Sequence, residues 1–78
     1  MQPIEVTARF DAEGQLIPLQ VVQQGRAFRV ESVGRRWQDE TGRHILVMLP
    51  GARTVELIYR EDELRWYLKS PLVPGQAA

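Results

Sequence analysis

Polar and apolar residues alternate with a two-residue period along most of this chain, which is the repeat of a β-strand with one face buried. Over residues 4–10, Ile4, Val6, Ala8 and Phe10 fall on one side and Glu5, Thr7 and Arg9 on the other. The tetrapeptide Asp11-Ala12-Glu13-Gly14 then supplies an aspartate able to bond its own backbone and a glycine able to take positive φ, which suits a hairpin loop. A second strand starts near Gln15 and carries Leu16, Ile17, Leu19, Val21 and Val22. Pro18 within it has no N–H to give to a ladder, which predicts an edge position.

Gln24-Gly25 predicts a tight turn into a third strand from Arg26, with Phe28 and Val30 on one face. The phase then slips, because Val33, Arg35 and Trp37 have the opposite parity. A bulge between Ser32 and Gly34 would return Val33 and Trp37 to the core side. After the turn Asp39-Glu40-Thr41-Gly42, the run Ile45-Leu46-Val47-Met48-Leu49 has no polar face and needs cover on both sides. Pro50-Gly51 fits a type II turn. A fifth strand over residues 53–60 sets Val55, Leu57 and Tyr59 against Thr54, Glu56, Ile58 and Arg60. The acidic tip Glu61-Asp62-Glu63 leads to a sixth, with Leu64, Trp66 and Leu68 facing in and Arg65, Tyr67 and Lys69 facing out.

No segment shows helical spacing in preference to alternation. The expected fold is therefore all-β: a six-stranded antiparallel meander, strongly curled or forming a small, partly open barrel. Residues 1–69 form a single domain on this reading. Residues 70–78, with Pro71 and Pro74 and no alternation, read as a flexible tail. With 78 residues and no cysteine, stability has to come from dense packing or self-association.

Ten basic residues balance ten acidic ones, so no net field draws the chain to nucleic acid or an anionic membrane, although local patches remain open to it. Nine of the ten basic residues are arginine, which favours planar, bidentate and stacking contacts. The first residues lack a basic segment followed by an apolar one, and no apolar run is long enough to span a bilayer. A cytoplasmic location without membrane association is the expectation.

Catalysis needs a nucleophile, a base and an orienting group, and the candidates, Ser32, Ser70, the threonines and the single His44, sit in no nucleophile motif. His44 follows a turn and reads as an exposed, partly packed imidazole. One histidine beside Asp39 and Glu40 is too few ligands for zinc. The tip Glu61-Asp62-Glu63 lacks the spaced ligands of a calcium loop and reads as solvated, with Arg60 and Arg65 as ion partners across the hairpin. The glycines lie at turns without phosphate-cradling spacing. No enzyme activity, metal or cofactor is expected.

What stands above this background is Gly34-Arg35-Arg36-Trp37, with Arg43 and His44 across the predicted hairpin and Arg29, Arg65, Tyr67 and Lys69 as extensions. Guanidinium groups and aromatic planes are what single strands stack on and phosphates pair with. The expected nucleic-acid contacts are Arg35, Arg36, Arg43, His44, Tyr67 and Lys69. Against that, Trp37 and Trp66 also suit a β core, and arginines on an outer face also serve solubility.

Gly25-Arg26 before an aromatic strand, Val33-Gly34-Arg35-Arg36-Trp37 and the closing Trp66-Tyr67-Leu68 resemble a family of small bacterial domains of unknown function. The resemblance extends over residues 4–68. Similar segments occur at the carboxyl ends of proteins resembling Y-family DNA polymerases, which implies a DNA-repair setting for some relatives. It brings no catalytic residues, and this chain has no polymerase portion.

Two functional expectations follow. The first is a non-enzymatic binding module contacting nucleic acid through the arginine and aromatic surface. The second is a protein-interaction or self-associating domain, a homodimer in the simplest case, in which Val21-Val22, residues 45–49 and Ile58 offer more apolar surface than one sheet face hides.

Overall fold

A computed structural model describes residues 2–69 and shows an all-β antiparallel sheet curled into a partly open barrel. Seven strands succeed one another: β1 (Gln2–Phe10), β2 (Leu16–Gln23), β3 (Arg26–Arg29), β4 (Ser32–Asp39), β5 (Gly42–Leu49), β6 (Arg53–Arg60) and β7 (Arg65–Leu68). Their spatial order is β3-β2-β1-β7-β6-β5-β4. The expected third strand is thus two strands, separated at Val30 and Glu31. There the ladder changes partner: the Val30 amide donates to the Leu19 carbonyl at 2.9 Å and the next amide, Glu31, donates to Met48 at 2.8 Å.

β1 is divided in the same manner. Gln2, Pro3 and Ile4 pair with β7, and from Glu5 onward the pairing is with β2. β1 and the β3–β4 segment therefore form the two corners at which a three-stranded layer (β1, β2, β3) and a five-stranded layer (β1, β7, β6, β5, β4) meet. Strands that pass between sheets in this way allow the sheets to cover one core from two directions. Beyond each corner the layers part, leaving β2 from Leu16 to Pro18 and β1 from Glu5 to Phe10 with one edge each outside the ladders. β2 is therefore an interior strand between β3 and β1, not the edge strand expected from Pro18, whose ring lies in the one stretch of it without a second ladder. Arg36 closes the first gap with a 2.6 Å hydrogen bond from Nη1 to the Leu16 carbonyl.

Two one-residue irregularities bend the strands at these corners. On β2, Thr7 faces Gln20 and Ala8 faces Pro18, so Leu19 is extra. On β4, Val33 faces Val47 and Arg36 faces Ile45, which puts the extra residue at Gly34 or Arg35. A bulge is thus present close to the expected place, but it follows Val33 instead of preceding it. Val33 and Arg36 share the inner face as a result, and Trp37 turns outward opposite His44. The expectation of Trp37 on the core side is corrected accordingly.

The core joins Leu16, Val21, Ile45, Val47, Leu57 and Leu68, with Leu49 beside them and Ile4, Val6, Tyr59 and Trp66 packed around. Inward alternation on β1, β6 and β7 matches the sequence reading at these positions. Leu64 does not: it has φ of 55°, lies outside β7 and is 77% exposed. Ile58 faces outward as expected yet is 2% exposed, so this side chain needs no partner molecule to cover it.

The turns follow their residue chemistry. Asp11 Oδ1 accepts from the amides of Glu13 at 2.9 Å and Gln15 at 2.8 Å. Asp39 pairs directly with Gly42, so β5 begins three residues earlier than the apolar run and takes Arg43 and His44 into the sheet. Gly42 has φ of 137°, and a Cβ there would lie 2.7 Å from the Tyr59 carbonyl oxygen. At Gly34 the nearest atom would be 3.7 Å away. Gly42→Ala should therefore lower the unfolding free energy by about 1–3 kcal/mol through backbone strain, whereas Gly34→Ala should stay within about 0.5 kcal/mol. Urea denaturation of the two variants measures the contrast.

Candidate functional site

In an antiparallel sheet, residues directly opposite one another share a face. Trp37 on β4 is opposite His44 on β5, His44 opposite Ile58 on β6, and Ile58 opposite Tyr67 on β7. These side chains make one row across the outside of the five-stranded layer. The Trp37 and His44 rings stack with centroids 5.0 Å apart and an interplanar angle of 12°. Arg35 lies over the same Trp37 ring at 5.3 Å. Under this cover His44 is 5% exposed, which overturns the expectation of an exposed imidazole: it enters the sheet because β5 starts at Gly42.

Both imidazole nitrogens are engaged. Nδ1 lies 2.6 Å from Glu56 Oε2, while Nε2 lies 2.9 Å from Asp39 Oδ1 and 2.7 Å from Thr41 Oγ1. The Thr41 hydroxyl donates to Asp39 Oδ1 at 2.5 Å, and the Thr41 amide donates to the same oxygen at 2.8 Å. Burial is the largest single influence on the ring and would lower its pKa. Hydrogen bonds to Glu56 and Asp39, together with their charges, outweigh it and raise the pKa from the ordinary 6.5. Asp39 moves the other way, to about 2, through its bonds from Thr41 and His44.

Thr41, His44 and Glu56 are the residue types of a hydroxyl–imidazole–carboxylate relay, and the distances fit one. The proton inventory does not. The Thr41 proton is directed to Asp39 rather than to the ring, and the raised pKa favours the protonated ring, whose two N–H groups face carboxylates. What the arrangement does is pin the β4–β5 turn to β6 through a buried ring under an indole lid.

The remaining predicted contacts divide between two faces. Arg35 and Tyr67 are on the outer side, and the Tyr67 hydroxyl donates to Glu63 Oε1 at 2.6 Å. Lys69 Nζ lies 3.9 Å from Glu56 Oε1. Arg36 and Arg43 are on the inner side, opposite Ile45 and Tyr59 respectively. Arg36 is committed to the Leu16 carbonyl, and Arg43 forms an ion pair with Glu61 while its Nε is buried without a hydrogen-bond partner. At the acidic tip, Arg60 pairs with Asp62 at 3.2 Å, but Arg65 stands opposite Arg60 in the register instead of bridging to the tip. The six residues thus make no common surface, and Asp39, Glu56 and Glu63 offset the charge of those that face out.

Three features leave no mark in the local sequence pattern. Glu56 as the partner of His44 was legible only from the β5–β6 register. Arg26 and Arg53 both lie over the Phe28 ring, at 5.5 and 5.0 Å. The third is the open edge of β1, which borders a notch of about 460 Å³ lined by Ile4, Val6, Leu64, Arg65 and Trp66, with Glu5 at its rim. Leu64 and Phe10, the latter 58% exposed, are large apolar side chains left in solvent along this margin. No helix among the described residues is long and apolar enough to cross a membrane.

His44 gives a pH dependence of known sign. Its folded pKa is raised above 6.5, so its contribution to stability is complete below pH 6.5 and is lost as pH rises through the folded value. Asp39 contributes above the ordinary carboxylate value of 3.8, and that contribution is lost as pH falls towards 2. Thermal melts should therefore show a decline in midpoint on the alkaline side of pH 6.5, and His44→Gln should remove that decline. Comparison of the chain with protein-family models, with curated proteins and with solved structures gives no match.

Proposed function

We propose that this domain is a non-enzymatic binding module that recognises a protein partner by taking an extended segment onto the open edge of β1. One observation carries the reading. From Glu5 to Phe10 the β1 backbone pairs only with β2 among the described residues, so its other edge offers N–H and C=O groups beside an apolar notch. An unpaired strand edge is a template for a further strand, with main-chain bonds giving affinity and pockets for alternate side chains giving selectivity. The inward row of β1, Ile4, Val6 and Ala8, is only half-buried, which is the surface such a strand would cover. The closed hydrogen-bond inventory around His44 supports the non-enzymatic part.

The test uses an alternating Thr/Val hexapeptide at millimolar concentration. Amide shifts in a ¹⁵N-labelled sample should concentrate at residues 5–10 and 64–66; shifts confined to Arg35, Trp37 and Tyr67, or no shifts at all in a sample that sediments as monomer, count against the reading.

A nucleic-acid partner is the second reading, favoured by Arg35, an exposed guanidinium on an aromatic face that has no ion-pair partner among the described residues. It matches the DNA-repair setting implied by the resemblance to carboxyl-terminal segments of polymerase-like proteins. Because Arg36 and Arg43 serve the inner face, Arg35→Ala should weaken binding of a single-stranded oligonucleotide at low salt. Titration by fluorescence anisotropy across salt concentrations decides it: absence of binding at low salt removes this partner.

A further inference from the structure

The open edge of β1 is complementary to itself. We propose that its occupant is the β1 edge of a second copy of this chain, joined antiparallel about a two-fold axis through Thr7. This rests on the reading of β1 as a docking edge and goes beyond it by naming partner and register.

Register follows from parity and charge. Two antiparallel copies keep their inward rows on one side only if facing residue numbers sum to an even value, because a one-residue slip turns every side chain to the other face. Axes at Val6, Thr7, Ala8 and Arg9 satisfy this within the open edge. An axis at Val6 sets Ala8, Arg9 and Phe10 against the partner copy's Ile4, Pro3 and Gln2, three positions held by β7, where the axis at Thr7 meets only one. An axis at Ala8 sets Glu5 against Asp11, like against like, and an axis at Arg9 sets two guanidinium groups against each other. The axis at Thr7 pairs Glu5 with Arg9 twice, and Val6 with Ala8 twice.

Three observations agree with that register. Glu5 and Arg9 are exposed and neither has an ion-pair partner among the described residues. Phe10, 58% exposed, comes opposite Ile4 of the other copy, where β7 already holds the backbone and the strand must turn aside. The space beside Ile4 is the shallow, open notch bordered by Val6, Leu64 and Trp66, against which a phenyl ring can lie. Leu64, held outside the sheet at positive φ, becomes the wall of that notch. Such an interface is isologous, so both notches fill at once.

Sedimentation equilibrium of the full chain should show a monomer–dimer equilibrium. Glu5→Arg and Arg9→Glu should each weaken self-association by about tenfold, since each creates two like-charged facing pairs. Their equimolar mixture should recover a 1:1 dimer, because every pair across that mixed interface is again of opposite sign. The doubly exchanged chain should recover as well. Circular dichroism confirms that each variant is folded, and recovery on mixing requires it. A chain that stays monomeric at millimolar concentration, or a mixture that associates no better than its components, overturns the inference. In either case hexapeptide shifts at residues 5–10 would show that β1 is a docking edge for another protein, and their absence would remove the docking reading too.

Discussion

The backbone hydrogen bonds of two strands, each shared between successive neighbours, govern the rest of this structure. β1 serves β7 and then β2, and the segment from Arg26 to Asp39 serves β2 and then β5. Each edge of β1 is paired over only part of its length, β7 taking Gln2 to Ile4 and β2 taking Glu5 to Phe10, so the rest of each edge is without a ladder. Besides the outer edges of the terminal strands β3 and β4, two stretches are left open by this curling. One is closed by a side chain, Arg36 reaching the Leu16 carbonyl. The other is left with apolar side chains standing in solvent.

Curling also decides what the arginines can do. A small barrel has a narrow interior with two ends, and an inward-facing residue near an end is held between core and solvent. Arg36 and Arg43 occupy such positions, with their stems against Ile45 and Tyr59 and their charged heads reaching a carbonyl and a carboxylate. Long cationic side chains suit that environment, because the methylenes pack while the guanidinium stays bonded. Their role is to finish the barrel.

On the outer face, polar groups do what a second apolar layer does in larger proteins. The five-stranded layer has no helix or sheet on its outside among the described residues, yet Ile58 and His44 are buried there. They lie in one row with Trp37 and Tyr67, while Asp39, Glu56 and Thr41 satisfy the imidazole. A polar ring so enclosed is held because each of its nitrogens meets a carboxylate. The open edge of β1, with exposed apolar side chains beside it, is the surface on which the functional proposal is built.

Two-residue periodicity was enough to show from the sequence alone an all-β antiparallel fold, the places of the hairpins and the inward sets Ile4-Val6-Ala8, Val55-Leu57-Tyr59 and Trp66-Leu68. It works because alternation, turn chemistry and the burial of one face are all local to a strand. It could also announce an interruption near Gly34, since the phase visibly changes there. It could not say on which side of Val33 the extra residue lies, and that choice of one position sent Trp37 outward and Arg36 inward, dividing the basic and aromatic cluster between two faces. Nor could it show that His44 would lie between Asp39 and Glu56, or that β1 would leave β7 after Ile4. Those outcomes depend on register and on the closing of the sheet, which bring together residues from strands far apart in the chain, and no pattern within a single strand encodes them.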